Sequence, residues 1–174
     1  PYKGDIRVKI LFQTRQDYRR NPAGDTIQLL ATAQGLKNLG VEVHLSLNSK
    51  IDLSEYDLVH IFNATRVVDA SMYLENAQKQ AKPVVLSPVY WNMQSYLEKG
   101  TNNPSALMQW ESHQPWRGQL LQDCDLLLPN GELEMEQIKE DFQVTTPYQV
   151  IPNGFPQEYL GIDESLFREQ YPHI

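Results

Sequence analysis

Cysteine is nearly absent. The chain of 174 residues has one, Cys124, so no internal disulfide framework can form and a reducing, cytoplasmic setting is expected. Asp123 and Asp125 flank that thiol and would raise its pKa, which fits a small residue at the core's edge better than a nucleophile. Basic charge is short as well. Lys and Arg number 15 against 22 Asp and Glu, a formal net charge of -7. That balance argues against a general nucleic-acid binder and leaves room only for a local basic pocket. No apolar run approaches the roughly 20 residues that a membrane span needs. A peripheral membrane contact is left open, but no strong basic amphipathic helix supports one. No signal-peptide pattern is present, and Pro1 stands where an initiator Met would, as in a trimmed or processed chain.

The usual chemical signatures are missing too. There is no G-x-G-x-x-G, so dinucleotide binding is weakly supported, and no Gly-Lys-Ser/Thr, so there is no P-loop. No His or Cys spacing suggests a metal site, and no G-x-S-x-G elbow appears. Neither a metal nor a cofactor is expected, and no residue is assigned a catalytic role.

What is present is alternation. Short apolar runs at 7–12, 41–47, 57–61, 84–86 and 125–128 are separated by helical patterns, and 149–151 reads as a last strand. The helix over 25–39 presents Ile27, Leu30, Ala31, Ala33 and Leu36, and Gly40 stops it. Residues 67–80 can form a second helix. The stretch 104–121 reads as helical and must break or kink at Pro115. Asn130 can cap a helix that begins with Glu132 and Glu134. Leu126 to Leu128 is an unbroken apolar run, as expected of a strand buried on both faces. This pattern predicts an α/β chain with a doubly wound, mostly parallel, Rossmann-like sheet, its first strand central. The domain spans 1–155, and 156–174 is a tail.

Ligands of such sheets sit at the carboxyl ends of the strands. After the first strand, Arg15, Arg19 and Arg20 precede Gly24 and Asp25 at a helix start, which together read as a small anion site. The other reading makes the arginines solvated and Asp25 an N-cap. After the third strand, Asn63 and Thr65 suit hydroxyl recognition or the capping of the next helix. His60, inside that strand, is expected to be a core residue with a satisfied hydrogen bond. After the fourth strand, Tyr90 and Trp91 offer flat surfaces for a sugar's apolar face; the other reading has at least one of the rings filling the core. Trp110, His113 and Trp116 form a second aromatic cluster around Pro115. Asn153 lies in a tight Pro152-Asn153-Gly154 exit from the last strand.

Taken in order, these segments resemble a known family. Ala23-Gly24-Asp25 before a helix ending Leu39-Gly40-Val41-Glu42-Val43, the run Asp57-Leu58-Val59-His60-Ile61-Phe62-Asn63, then Pro83 to Pro88, Cys124 to Asn130 and Ile151-Pro152-Asn153-Gly154-Phe155 are similar to segments of group 1 (family four) glycosyltransferases. The resemblance covers nearly the whole chain. It implies the N-terminal half of a GT-B fold, whose N-terminal domain binds the hydroxyl acceptor while a C-terminal domain binds most of the nucleotide-sugar donor. It also implies sugar transfer without a bound metal. The C-terminal domain is missing from this sequence, so the chain alone is expected to fold without transferring sugar. The chain departs from the pattern: Ala23-Gly24 replaces a glycine pair, no histidine follows the central strand, and Asn130 stands where serine is common. The substrate-binding candidates read from the strand ends and the last exit turn are Arg15, Arg20, Gly24, Asp25, Asn63, Tyr90, Trp91 and Asn153. The competing class is a non-catalytic sugar- or nucleotide-binding Rossmann module. A receiver-like domain is disfavoured, because Asp57 begins its strand and no acidic pair follows the first strand.

Overall fold

In the computed structural model, which describes residues 8–101, 103–155 and 163–173, the short apolar runs are strands. β1 (Lys9–Gln13), β2 (Glu42–Leu45), β3 (Leu58–Phe62), β4 (Val84–Ser87) and β5 (Leu126–Leu127) form a five-stranded sheet in the order β2-β1-β3-β4-β5. All four pairings are parallel. Parallel neighbours need crossovers, and helices supply them: α1 (Gly24–Asn38), α2 (Val67–Lys79), α3 (Gln94–Lys99), α4 (Pro104–Ser112) and α5 (Gln114–Asp123). The fold is α/β, doubly wound and Rossmann-like. The central strand is β3, not β1 as expected. Only β2 lies outside β1, because the chain changes direction once and lays every later strand on the other side.

Side-chain alternation explains why the strands read as unbroken apolar runs. Ile10 and Phe12 face one side with Leu29, Val43 and Phe62. Leu11 faces the other, with Val59, Ile61 and Leu86, where α2, α5 and α6 (Glu132–Phe142) close the larger core. Both faces are covered, so neither parity is free to be polar. The α1 stripe differs from the expected one. Ile27 and Leu30 are exposed, whereas Thr26 and Leu29 are buried, with Ala33 and Leu36 packed beside them. The helix is turned this way where its first turn is tied inward through Asp25 and Thr26.

Two aspartates lock the sheet at its amino edge. Asp57 accepts the Lys9 N–H at 2.7 Å and Asp125 accepts the Val84 N–H at 2.7 Å. Asp57 is thus a structural clip at the edge away from the strands' carboxyl ends. The break at Pro115 separates α4 from α5 as expected, and Asn103 caps α4 through the Ala106 N–H. Asn130 does not cap α6; Gly131 holds that position, and the Asn130 side chain pairs with Gln28 of α1 at 2.7 Å. The last expected strand is reduced to one parallel bridge, Leu127 to Tyr148, flanked by backbone bonds from Gln149 and Ile151 to Leu127 and Pro129. The beginning of the expected first strand at Arg7 and the first part of the tail lie outside the described residues. In the rest of the tail Ser165–Gln170 forms a short helix, α7.

Candidate functional site

The carboxyl ends of β1 and β3 lie side by side, and from β1 the sheet extends to β2 on one side and β3 on the other. Such a switch point leaves a crevice above the strand ends. A cleft of about 540 Å³ opens there. Its near wall comes from the segments that follow β1 and β3, and its far wall from α3, α4 and the start of α5.

Arg15 and Asp25 anchor the near wall. Both are almost fully buried. Arg15 Nε donates to Asp25 Oδ2 at 2.7 Å and Nη2 to Asp25 Oδ1 at 3.0 Å, a bidentate pair. Nη1 also reaches Asp17 at 2.7 Å, and Nη2 the Asn21 carbonyl at 2.6 Å. Hydrogen bonding to Asp25 raises the Arg15 guanidinium above its already high range. Burial alone would raise the Asp25 carboxyl, but the bonds from Arg15 and Asn63 outweigh it and hold the carboxyl below its ordinary range. Arg15 is therefore the internal staple of its loop, with its charge already answered. Arg19 and Arg20 do not join it. They line a separate shallow depression beside Leu45 and Leu47, and Arg19 lies on the Tyr18 ring. The three-arginine anion site expected at this loop is not assembled.

Asn63 couples the two strand ends. Its Nδ2 donates to Asp25 Oδ2 at 2.7 Å, and its Oδ1 accepts the N–H groups of Thr65 and Arg66 at 3.0 and 3.3 Å. It therefore caps the 3-10 turn Ala64–Arg66 and also lines the cleft. Its φ of 78° is left-handed, a conformation asparagine tolerates better than most residues. Val89, just past β4, has φ 46°, and a β-branched residue there is strained. Gly24 begins α1 between two cleft-lining residues, Ala23 and Asp25. Its φ is not left-handed and a Cβ there would meet no protein atom, so the fold itself does not demand glycine.

The far wall is apolar with one charge set into it. Met93, Leu97, Ala106 and Trp110 line it, with His113 at the junction of α4 and α5. Arg117 projects from α5 and is 1% exposed. Its Nε donates to the Ala64 carbonyl at 3.1 Å and its Nη1 to Gln114 Oε1 at 2.8 Å, while Nη2 lies 3.5 Å from the Thr65 carbonyl. The guanidinium stacks on Trp110, 3.9 Å from the ring centroid. Burial pulls its pKa below the usual arginine range. Arg117 escaped the sequence reading. Its partners lie 52 and 53 residues away, and the visible signal was only the aromatic cluster around Pro115.

Other candidates lie elsewhere. Tyr90 is buried in the core, stacked against Trp110, and its hydroxyl donates to Asp141 at 2.7 Å, so it cannot stack on a ligand as expected. Trp91 is exposed and tilted against Tyr96, outside the cleft lining. Asn153 is exposed beyond the bridge to β5. His60 is the core residue expected, bonded to Ser87 at 2.9 Å, and burial pushes its pKa down to about 3. Burial first, and then Asp125 and Asp123, push the Cys124 thiol up to about 12. No cluster of three metal-ligating side chains occurs among the described residues, and no helix among them is long and apolar enough to cross a membrane. No protein-family model and no curated protein matches this chain.

Proposed function

We propose that this chain is the acceptor-side domain of a nucleotide-sugar-dependent glycosyltransferase of the group 1 type, and that the cleft over β1 and β3 holds the acceptor. One observation carries this reading. The segments that resemble the family, Ala23-Gly24-Asp25 and the run ending at Asn63, meet at one edge of the sheet and form the near wall of the same cleft.

The lining suits a hydroxyl-bearing ligand. Thr65, Gln109 and His113 offer donors and acceptors, while Trp110, Met93 and Leu97 offer apolar surface. Open space beside Gly24 lets a ligand approach the start of α1. In the reaction, the bond between the sugar's anomeric carbon and the donor phosphate oxygen breaks. The acceptor oxygen bonds to that carbon, the nucleoside diphosphate leaves with the electron pair, and the acceptor's proton passes to the departing phosphate oxygen. This domain's share is to orient the acceptor hydroxyl and keep water away. Stabilising the departing phosphates falls mostly to a second domain across the cleft.

The entire protein product of the gene, incubated with a panel of nucleotide sugars and hydroxyl acceptors, tests this. Acceptor-dependent release of nucleoside diphosphate is expected. Saturable sugar binding with no acceptor-dependent release from any donor would make the chain a binding module and overturn the proposal.

A further inference from the structure

We propose that Trp110 and Arg117, on the far wall of the cleft, bind an oxyanion carried by the ligand, a phosphate or a carboxylate group. The inference rests on the cleft being the ligand site and not on sugar transfer. Three arginines line the cleft, and they differ in what answers their charge. Arg15 has two carboxylates. Among the described residues Arg66 has only Asp17, at 3.8 Å, and its side chain is half exposed. Arg117 is almost fully buried, and every acceptor it meets among the described residues is neutral: two backbone carbonyls and the Gln114 amide. A buried cation is expensive unless an opposite charge accompanies it.

Trp110 supplies the independent second observation. It is 6% exposed, and its indole Nε1–H has no acceptor among the described residues. Buried donors are nearly always paired, so one without a partner calls for an explanation. The same ring that leaves this N–H unpaired carries the Arg117 guanidinium on its face. A charge without its counter-charge and a donor without its acceptor therefore sit on one wall of one cleft. An oxyanion provides both missing elements, a negative charge and free lone pairs, and a neutral hydroxyl provides only one. The carboxylates that line the cleft set where it can go. Asp25 is neutralised by Arg15, and Asp69 accepts only the Gln16 N–H among the described residues, so its charge repels an anion from the start of α2 and toward Trp110.

The test is calorimetric titration of the protein with pyrophosphate, inorganic phosphate, glucuronate and glucose. Pyrophosphate or phosphate binding assigns a phosphate group, glucuronate binding a carboxylate, and glucose is expected to bind far more weakly than either. Arg117→Met should weaken the anion about tenfold or more, as expected for loss of a charged hydrogen-bond partner. The same change should also lower the melting temperature of the unliganded protein, because it strips the Ala64 carbonyl and the Gln114 amide of their donor, so affinity is read on protein shown to be folded. Trp110→Phe, which keeps an aromatic face for Arg117 but removes the N–H with the rest of the indole, should weaken binding severalfold and lower that melting temperature through the cavity it leaves. Arg19→Ala with Arg20→Ala should leave affinity unchanged. If no anion binds the wild-type protein, or if Trp110→Phe and Arg117→Met both keep full affinity, the oxyanion site is wrong. Transfer to neutral acceptors that these anions do not inhibit would overturn it while leaving the transferase reading intact. Anion binding in a protein that transfers no sugar would do the reverse.

Discussion

Arg15 and Arg117 are the two buried arginines of one cleft, and they are built in opposite ways. Arg15 finds Asp17, Asn21, Asp25 and Thr26 within eleven residues of itself, and its charge is answered twice over. Arg117 reaches back 52 and 53 residues to the carbonyls of Thr65 and Ala64 and meets no carboxylate among the described residues. The first is a finished structural device that fastens the loop after β1 and, through Asp25 and Asn63, joins it to β3. The second is unfinished in the protein by itself. An arginine beside a cleft is thus not evidence of an anion site until its partners are known.

The comparison is broken most forcefully by making Arg15 resemble Arg117. Asp25→Ala strips the main counter-charge from a buried guanidinium and removes the anchor of Asn63. It should destabilise the fold by about 3–5 kcal/mol, read by urea denaturation. A loss under about 1 kcal/mol would mean that the pair contributes little and that the contrast with Arg117 is empty.

Acid should separate the two regions next. Asp25 titrates below its ordinary 3.8 in the folded state, so its stabilisation is complete above that value and disappears as pH falls below it. His60 acts earlier. Its folded pKa of about 3 lies under the ordinary 6.5, so stability is full above 6.5 and declines as pH falls from there toward 3. The slope from His60 is at most about 1.4 kcal/mol per pH unit. His60→Gln should flatten the upper window and Asp25→Asn the lower one, whereas Arg117→Met should leave both in place. Denaturation midpoints measured from pH 7 to pH 3 check this.

The smallest effect is expected at the exposed arginines. Arg19→Ala and Arg20→Ala should each change stability by less than about 0.5 kcal/mol, because neither is buried nor paired with a carboxylate among the described residues. Thermal unfolding of the two variants measures it, and a larger loss would show that the loop's outer face matters as much as its staple.

Which of these features the sequence disclosed follows from how local each one is. Strands flanked on both faces leave unbroken apolar runs, so β1, β3, β4 and β5 were legible within a residue or two. Gly40, with its left-handed φ of 87°, marked the end of α1, and Pro115 marked the break between α4 and α5. The rotation of α1 was not legible, because Ile27 and Leu30 look as apolar as Leu29 and only the tie from Asp25 and Thr26 to Arg15 selects the buried face. Of the two roles expected of Asn63, capping is the one seen, at the 3-10 turn Ala64–Arg66. Tyr90 was placed at the ligand because aromatic residues after a strand look alike whether they face the cleft or the core, and its partner Asp141 lies 51 residues away. Trp110 was legible as part of the aromatic cluster around Pro115, but its pairing with Arg117 was beyond reach for a similar reason. Seven positions apart across a helix break, they form a stacked pair only once α4 and α5 have folded against the turn at Ala64–Arg66.

The role of the cleft is tested most directly by filling it. Val68 lines the cleft from α2 yet is 44% exposed, so Val68→Trp can occupy the space without disturbing the core. Met72→Trp, on the same helix and outside the cleft lining, controls for the added bulk. Acceptor-dependent sugar transfer by the whole gene product should fall about tenfold or more with Val68→Trp, since misplacing a bound reactant by a small distance is enough. Transfer should stay at the wild-type level with Met72→Trp, and both variants should unfold at the wild-type temperature. Full transfer by a folded Val68→Trp protein would contradict the assignment of this cleft to the acceptor.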